Sequence, residues 1–165
     1  MSLGFTLLMG HFARWLYQGQ RQNALARVLN RGVAAAFARG IAPDYLVALE
    51  VTGRCSGRTI SLPLVMTVLA RERYLVSNHG AEVAWVQNLK ATTGRAVLRH
   101  GRTERVQLEE VPTELRAPVL KAHLRRAPGA RPHIPVDKDA PLEEFEAIAA
   151  LFPVFRVLRE PVGRY

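Results

Sequence analysis

The feature that most constrains the fold is a change of hydrophobic period near Gly40 and Pro43. Before it, apolar side chains recur every three or four residues, which gathers them on one stripe of a helix. After it, short apolar or alternating runs are bounded by glycine or charged turn residues, which is typical of β-strands. The links between these runs are too short for the crossovers that a parallel sheet needs. The sequence therefore predicts an α+β protein with a mostly antiparallel sheet.

Two helices are predicted before the change of period. The second begins at Asn23, a good N-cap, and ends near Ala38, because Gly40 and Pro43 stop it. The first has an apolar stripe that suits either an anionic membrane surface or the rest of the protein, formed by Phe5, Leu8, Phe12 and Trp15, with Arg14 and Arg21 beside it.

About six strands are predicted to close a small or half-open barrel. They are Tyr45–Val51, Ile60–Leu69, Tyr74–Val76, Arg95–Arg99, Thr103–Val111 and Val154–Leu158. Short helices are expected over Val83–Leu89, after Pro112 and over Leu142–Leu151, and Pro118 should kink or shorten the second of these. The proline-rich stretch from Ala127 to Pro141 is predicted to be a loop, with a lid as one role for it.

The length of 165 residues fits one domain, and nothing in the sequence cuts it in two. We expect a single domain over 1–165, with a helical extension at 1–42 and the barrel core at 43–165. The start lacks a basic leader and a cleavage site, and the lone Cys55 excludes an internal disulfide, so we expect a cytoplasmic protein. Binding of the amino-terminal helices to the inner face of the cell membrane is the second location that the sequence allows.

The net charge of +9 suits nucleic acid, anionic lipid or a small polyanion. Nucleic acid ranks last and is not expected, because the strands carry no interleaved aromatic residues on which bases could stack. The histidines at positions 11, 100, 123 and 133 have no metal-ligand spacing, so no metal is expected. The basic run His123–Arg126 is either a solvated face or the rim of a pocket.

The turn after the first strand concentrates groups that could hold an anion. Gly53 and Gly57 allow a tight turn that brings backbone amides toward a ligand, and Arg54 and Arg58 add two guanidinium groups. Thr52, Ser56 and Thr59 add hydroxyls. A hairpin turn merely solvated by arginines explains the same residues, and the pattern alone does not choose between the two.

Three motifs in fixed order resemble the deazaflavin-dependent nitroreductase family. They are T-G-R-x-S-G at Thr52–Gly57 with Pro63 after it, S-N-H-G at Ser77–Gly80, and A-W-x-x-N-L at Ala84–Leu89. The resemblance runs from Leu46 to the carboxyl end. It implies a split β-barrel of the flavin-reductase kind and, in many members, the coenzyme F420, with FMN as the second choice.

Carried over by position, the resemblance implies a coenzyme site in three parts. The phosphate-bearing tail would lie at Arg54, Ser56, Gly57 and Arg58, and the deazaflavin ring between Pro63, Leu64, Val65 on one side and Ser77, Asn78, His79, Gly80 on the other. Trp85 and Asn88 would fix the helix that follows. His79 could donate a hydrogen bond or, if charged, balance the phosphate, and a simple exposed loop histidine is the equal alternative.

The chain departs from the family pattern at several positions. Cys55, Ile60 and Asn78 replace basic residues that many members carry, and Leu142 and Phe145 stand where members often have tyrosine. These departures concern the contacts to the coenzyme and leave the fold pattern unchanged.

The resemblance implies an oxidoreductase that passes hydride from reduced F420 to a small electrophilic acceptor such as a quinone or nitro compound. The alternative is a flavin- or lipid-binding protein that has kept the barrel without the chemistry. The expected partner is the small-molecule acceptor, and the protein would be a monomer or homodimer. No catalytic residue is named, because the coenzyme carries the chemistry.

Overall fold

The computed structural model describes residues 24–41 and 43–160, and in this part of the chain it contains four α-helices and seven β-strands. The helices are α1 (Ala24–Ala38), α2 (Ala84–Ala91), α3 (Ala117–Arg126) and α4 (Leu142–Ile148). The strands are β1 (Leu46–Thr52), β2 (Thr59–Val65), β3 (Thr67–Leu69), β4 (Glu72–Val76), β5 (Arg95–Arg99), β6 (Thr103–Glu110) and β7 (Val154–Arg159).

All described strands belong to one antiparallel sheet in the order β2-β1-β5-β6-β7-β4-β3. The predicted α+β, antiparallel fold is confirmed, but the strand count is seven rather than about six. The difference lies in the predicted strand Ile60–Leu69, which divides at Met66. The backbone N–H of Met66 donates to the Tyr45 carbonyl oxygen at 2.7 Å, and beyond it the chain leaves β1 and pairs with β4.

A single residue therefore joins the two outermost strands of the sheet. The sheet must curl until its edges meet, which makes it a half-open barrel. Strand β2, which precedes Met66, pairs with β1 alone. The part of β4 that follows Tyr74 pairs with β7 alone. The free edges of β2 and β4 lie near each other. We call the gap between these two edges the seam; it is closed at Met66 and runs toward Thr59.

Two apolar layers form on the two faces of the curled sheet. Alternate residues of each strand point into the barrel, as the two-residue period of a strand requires. This inner layer contains Val47, Leu49, Val51, Leu75, Leu98, Val106 and Phe155, all buried. The outer layer packs α3 and α4 on the sheet and contains Val76, Leu120, Leu124, Phe145 and Val154.

The helical extension is described only in part. In α1, Ala34 and Phe37 are buried against Ala48 on the outer face of β1, and the Gly101 N–H donates to the Ala38 carbonyl at 2.8 Å. This helix thus packs on the sheet. The predicted first helix lies outside the described residues. Of the described helices, none is both long enough and apolar enough to cross a bilayer.

The carboxyl-terminal half follows the sequence prediction with small changes. After a 3₁₀ turn at Thr113–Leu115, α3 begins at Ala117, so Pro118 lies in its first turn and shortens the helix without kinking it. The loop from Ala127 to Pro141 contains one 3₁₀ turn, Pro128–Ala130, and little other regular structure.

Candidate coenzyme site

The turn from Gly53 to Arg58, which we call the corner, is closed by its own backbone. The Gly53 N–H donates to the Arg58 carbonyl and the Gly57 N–H to the Gly53 carbonyl, both at 2.8 Å. Gly57 has φ +66°, a conformation that favours glycine. A Cβ at Gly53 would lie 2.8 Å from Ser56 Oγ, a hydroxyl that can rotate away, and 3.3 Å from the Arg58 carbonyl oxygen, so space at this position is tight. The two glycines therefore shape the turn itself.

The expectation that backbone amides of the corner face a ligand is wrong for four of them. Besides the two glycine amides, the Arg54 N–H donates to Asn88 Oδ1 at 3.1 Å and the Arg58 N–H to Ser56 Oγ at 3.3 Å. An amide already engaged inside the turn offers nothing to an anion. Of the six corner amides, those of Cys55 and Ser56 donate no hydrogen bond within the described residues, so an anion at the corner would meet these two amides and the arginine side chains.

Arg54 is tied to the barrel by Asn88. Its Nη1 donates to Asn88 Oδ1 at 3.0 Å, and Asn88 lies buried on α2. A guanidinium has five N–H donors in a fixed plane, so one bond orients the group and leaves the others for a ligand. Arg58, at the other end of the turn, is exposed. The corner thus presents two guanidinium groups, one of them held in place.

The predicted ring-binding stretch of β2 does not present a single face. Leu64 packs against the inner layer of the barrel, whereas Val65 packs against the outer layer. Pro63 is paired in register with Ala48 of β1. Because strand residues alternate, Pro63 and Val65 share the outer face and Leu64 does not. A ligand on the outer face of β2 can touch the side chains of Pro63 and Val65, but not that of Leu64.

Across the seam, the loop Ser77–Gly80 is fixed at both ends. The Ser77 N–H donates to the Pro153 carbonyl at 2.9 Å, and Ser77 Oγ donates to the Gly80 carbonyl at 2.6 Å. Gly80 has φ +84°. The second predicted motif therefore forms a compact turn directly after β4.

His123 of α3 is a residue that the sequence analysis misplaced. It is 1% exposed, and its ring bridges two elements: Nδ1 lies 2.8 Å from Thr67 Oγ1 and Nε2 lies 2.9 Å from Asn78 Oδ1. Because the amide oxygen accepts, Nε2 carries the proton and Nδ1 accepts from the hydroxyl. Burial lowers the pKa of His123 to about 4. The neutral ring orients the Asn78 amide through its oxygen.

The signal for this position was present in the sequence. His123 follows Leu120 by three residues and precedes Ala127 by four, and both neighbours are buried. That spacing places it on the apolar stripe of α3 rather than with Arg125 and Arg126.

His79 packs its ring against His133, with ring centroids 4.3 Å apart. Desolvation, with a smaller contribution from His133, lowers the pKa of His79 to about 4, and desolvation also lowers the pKa of His133. His79 itself is exposed, as in the alternative of a simple loop histidine, and its charged role beside a phosphate stays a prediction. A hydrogen-bonding role remains open to it.

Trp85 belongs to the barrel core. Its ring packs edge-on against Phe155 with centroids 5.4 Å apart. The resemblance compared Phe145 with a tyrosine of the family. Its ring is fully buried in the outer apolar layer. Neither ring therefore stands at the seam as an exposed stacking surface. Cys55 is exposed in the corner.

A cavity of about 970 Å³ lies elsewhere, at the end of the barrel where β1 begins. Arg125 and Arg126 are among its lining residues, which agrees with the pocket-rim alternative for the basic run. None of the thirteen predicted coenzyme-site residues lines it. Within residues 24–41 and 43–160, no group of three His, Cys, Asp or Glu side chains could hold a metal ion.

Comparison with known proteins shows which solved structures have a similar fold. No protein-family model matches the chain, and no curated protein is significantly similar to it. Among solved structures, an F420-H2 dependent reductase (FDR-A) matches with a TM-score of 0.50 and 20% sequence identity, over 69% of this chain and 94% of that one. The chain shares the fold of that reductase. This agrees with the half-open barrel that the resemblance implied.

Two further structures show the same architecture. A structure described as a domain-swapped dimer matches with a TM-score of 0.52 and 20% identity, over 81% of this chain and 92% of that one. A putative 5-nitroimidazole antibiotic resistance protein from Bacteroides thetaiotaomicron matches with a TM-score of 0.51 and 11% identity, over 79% of each chain. At such identities the likeness concerns the fold.

Proposed function

We propose that the protein is an oxidoreductase that binds reduced F420 and passes hydride to a small electrophilic acceptor such as a quinone or nitro compound. One observation carries the proposal. The seam between the edge of β2 and the Ser77–Gly80 loop ends beside a corner that presents two guanidinium groups, in a fold shared with an F420-H2 dependent reductase.

The donor chemistry of the corner fits the acidic tail of this coenzyme. Arg54 and Arg58 can each grip a phosphate or carboxylate through paired hydrogen bonds. Asn88 already holds Arg54, so less side-chain freedom is lost when a ligand binds. The NH₂ group of Asn78, oriented by His123, supplies a neutral donor across the seam.

The roles divide between coenzyme and chain. The reduced deazaflavin, when bound, supplies the hydride. Pro63 and Val65 would give its ring an apolar contact, and the arginines would carry the positive charge that faces the acidic tail. The protein residues therefore bind and orient, and none is assigned as an acid or base.

The proposal includes a cytoplasmic protein whose principal partner is the acceptor. A second copy of the chain is a further partner to test, because one similar structure is described as a domain-swapped dimer. Contact of the residues before α1 with the inner face of the membrane remains the corresponding proposal for the amino-terminal segment.

Titration of the purified protein with F420, followed by the coenzyme's fluorescence, tests the proposal. We expect saturable binding, with FMN titrated in parallel and binding more weakly. Arg54→Gln and Arg58→Gln should each raise the Kd by about tenfold, the loss of one charge-assisted bond. Arg105→Gln is the matched control, because Arg105 is exposed on β6, which is separated from β1 by strand β5.

A double-mutant cycle tests whether Asn88 acts through Arg54. Asn88→Ala should weaken coenzyme binding in the wild-type background and have little further effect in the Arg54→Gln background. No binding at high micromolar F420, or equal losses in the corner variants and in Arg105→Gln, would refute the proposed function.

A further inference from the structure

The cavity at the other end of the barrel has no role in the proposed coenzyme site. It is lined by the start of β1, the end of β5 and the segment around Met66, together with Arg125 and Arg126 at the end of α3. The corner follows the end of β1, seven residues away. At about 3.3 Å per strand residue, the two regions are about 20 Å apart. We call this cavity the mouth.

The floor of the mouth is apolar. Val47, Met66 and Leu98 are buried members of the inner layer, and each also lines the cavity. Their side chains end the barrel interior on this side. A volume of about 970 Å³ lies at the upper end of the range for small-molecule sites, so an organic molecule fits.

The rim of the mouth carries an excess of positive charge. Five arginines line it against two carboxylates, Asp44 and Glu104; the arginines are Arg73, Arg99, Arg102, Arg125 and Arg126. With histidine counted as neutral, the lining has a formal charge of +3. An apolar floor beneath a cationic rim matches a molecule with an apolar body and an anionic head.

Three of the five arginines already have carboxylate partners. Arg73 forms two bonds with Glu104 at 2.8 and 2.7 Å, Arg99 lies 2.9 Å from Glu50, and Arg125 lies 3.4 Å from Asp139. These pairs satisfy much of the charge of those side chains. The two remaining arginines of the rim are Arg102 and Arg126.

Among the described residues, no carboxylate lies within salt-bridge distance of Arg102 or Arg126, and Arg102 is close enough to Glu104 to help lower the pKa of that carboxyl. Arg126 Cζ lies over the Tyr45 ring, 3.9 Å from its centre, so a cation–π contact positions this guanidinium at the rim. Stacking of this kind leaves the edge of the guanidinium, with its N–H donors, available to an oxyanion.

We propose that the mouth is a second binding site, for an organic oxyanion whose apolar body rests on Val47, Met66 and Leu98 and whose head group contacts Arg102 and Arg126. This site is separate from the corner and does not depend on the proposed function. The head group is a carboxylate or a phosphate, since a guanidinium binds both through paired hydrogen bonds.

Binding of 8-anilinonaphthalene-1-sulfonate, an aromatic oxyanion whose fluorescence rises in apolar surroundings, tests the proposal on the full chain. We expect saturable binding that decanoate and decyl phosphate compete away and that neutral decanol does not. If only one of the two anions competes, the site exists and its head-group preference is identified. Equal competition by decanol would overturn the oxyanion assignment.

Variants locate the bound probe. Arg102→Gln with Arg126→Gln should weaken binding by at least about tenfold, and Arg126→Lys, which keeps the charge, should recover part of the loss. Arg105→Gln should bind as the wild type does. Unchanged affinity in the double variant, or a loss found instead in Arg54→Gln with Arg58→Gln, would overturn the proposal. Circular dichroism checks that each variant is folded before it is titrated.

Discussion

Buried His123 should make the protein lose stability in mild acid. Its pKa is lowered from 6.5 to about 4 by burial. Between these two values the unfolded chain binds a proton at this site and the folded chain does not, so the free energy of unfolding falls as the pH falls. Each pH unit inside this window costs about 1.4 kcal/mol. From pH 7 to pH 5, His123 alone should therefore remove about 2 kcal/mol.

Urea unfolding followed by circular dichroism at pH 7 and pH 5 measures this loss. The wild-type decrease also contains contributions of the same sign from His79 and His133, whose pKa values are lowered as well. The comparison with His123→Gln isolates the one residue. The variant should lose about 1 kcal/mol at pH 7, from one hydrogen bond, but its decrease from pH 7 to pH 5 should be smaller than the wild-type decrease by about 2 kcal/mol.

A second variant separates burial from hydrogen bonding as the cause. Thr67→Val removes the hydroxyl that donates to His123 Nδ1 and keeps the ring buried. Since burial sets the pKa, this variant should keep most of the wild-type pH dependence. If His123→Gln and the wild type lose the same free energy between pH 7 and pH 5, the ring is not held neutral in the folded protein and the reasoning is wrong.

Three further changes test the fold. Gly94→Ala should destabilise the protein by about 2 kcal/mol or more, because Gly94 has φ +83° and a Cβ there would collide with the Leu108 carbonyl; thermal unfolding measures this. Phe145→Ala should cost about 3–5 kcal/mol in urea unfolding, since the ring is fully buried, and a loss below about 1 kcal/mol would contradict its packing. A double-mutant cycle with Arg73→Gln and Glu104→Gln should give a coupling of about 1 kcal/mol near pH 7. Hydrogen bonds from Arg73 are the main cause that lowers the pKa of Glu104. The coupling should therefore disappear in acid, once the Glu104 carboxylate becomes protonated.

The sequence located most elements because their signals are local. The alternation of Arg95–Arg99 and the glycine after it predicted β5 with the bounds that the structure shows. The proline-rich stretch after Ala127 predicted a loop because prolines remove backbone donors. Such signals need no knowledge of what the element packs against.

The division at Met66 has no local signal. Leu62, Leu64 and Met66 all face the inner layer, so the two-residue period continues through the break. What changes there is the partner strand, from β1 to β4, and partner choice depends on residues distant in the chain. The sequence therefore predicted one strand where the structure has two.

The candidate site shows the same limit. The family resemblance assigned Arg54 and Asn88 to one coenzyme site, and the structure joins them by two hydrogen bonds. Two further features depend on how the turn and α3 are positioned in the folded protein. They are the hydrogen bonds of the corner amides and the contact of His123 with Asn78. Hydrogen bonds between distant segments of this kind do not follow from residue type and spacing.

The one-residue passage at Met66 also limits how deeply a flat molecule could slide between the free edges of β2 and β4. A single residue spans only about 3.3 Å, so the backbone holds β2 and β4 close together at Met66. The two strands can separate only toward the other end of β2, near Thr59. A planar guest would enter as a wedge from that end and be stopped by the backbone at Met66. Its depth would then be fixed by the length of β2, whatever its tail contacts outside.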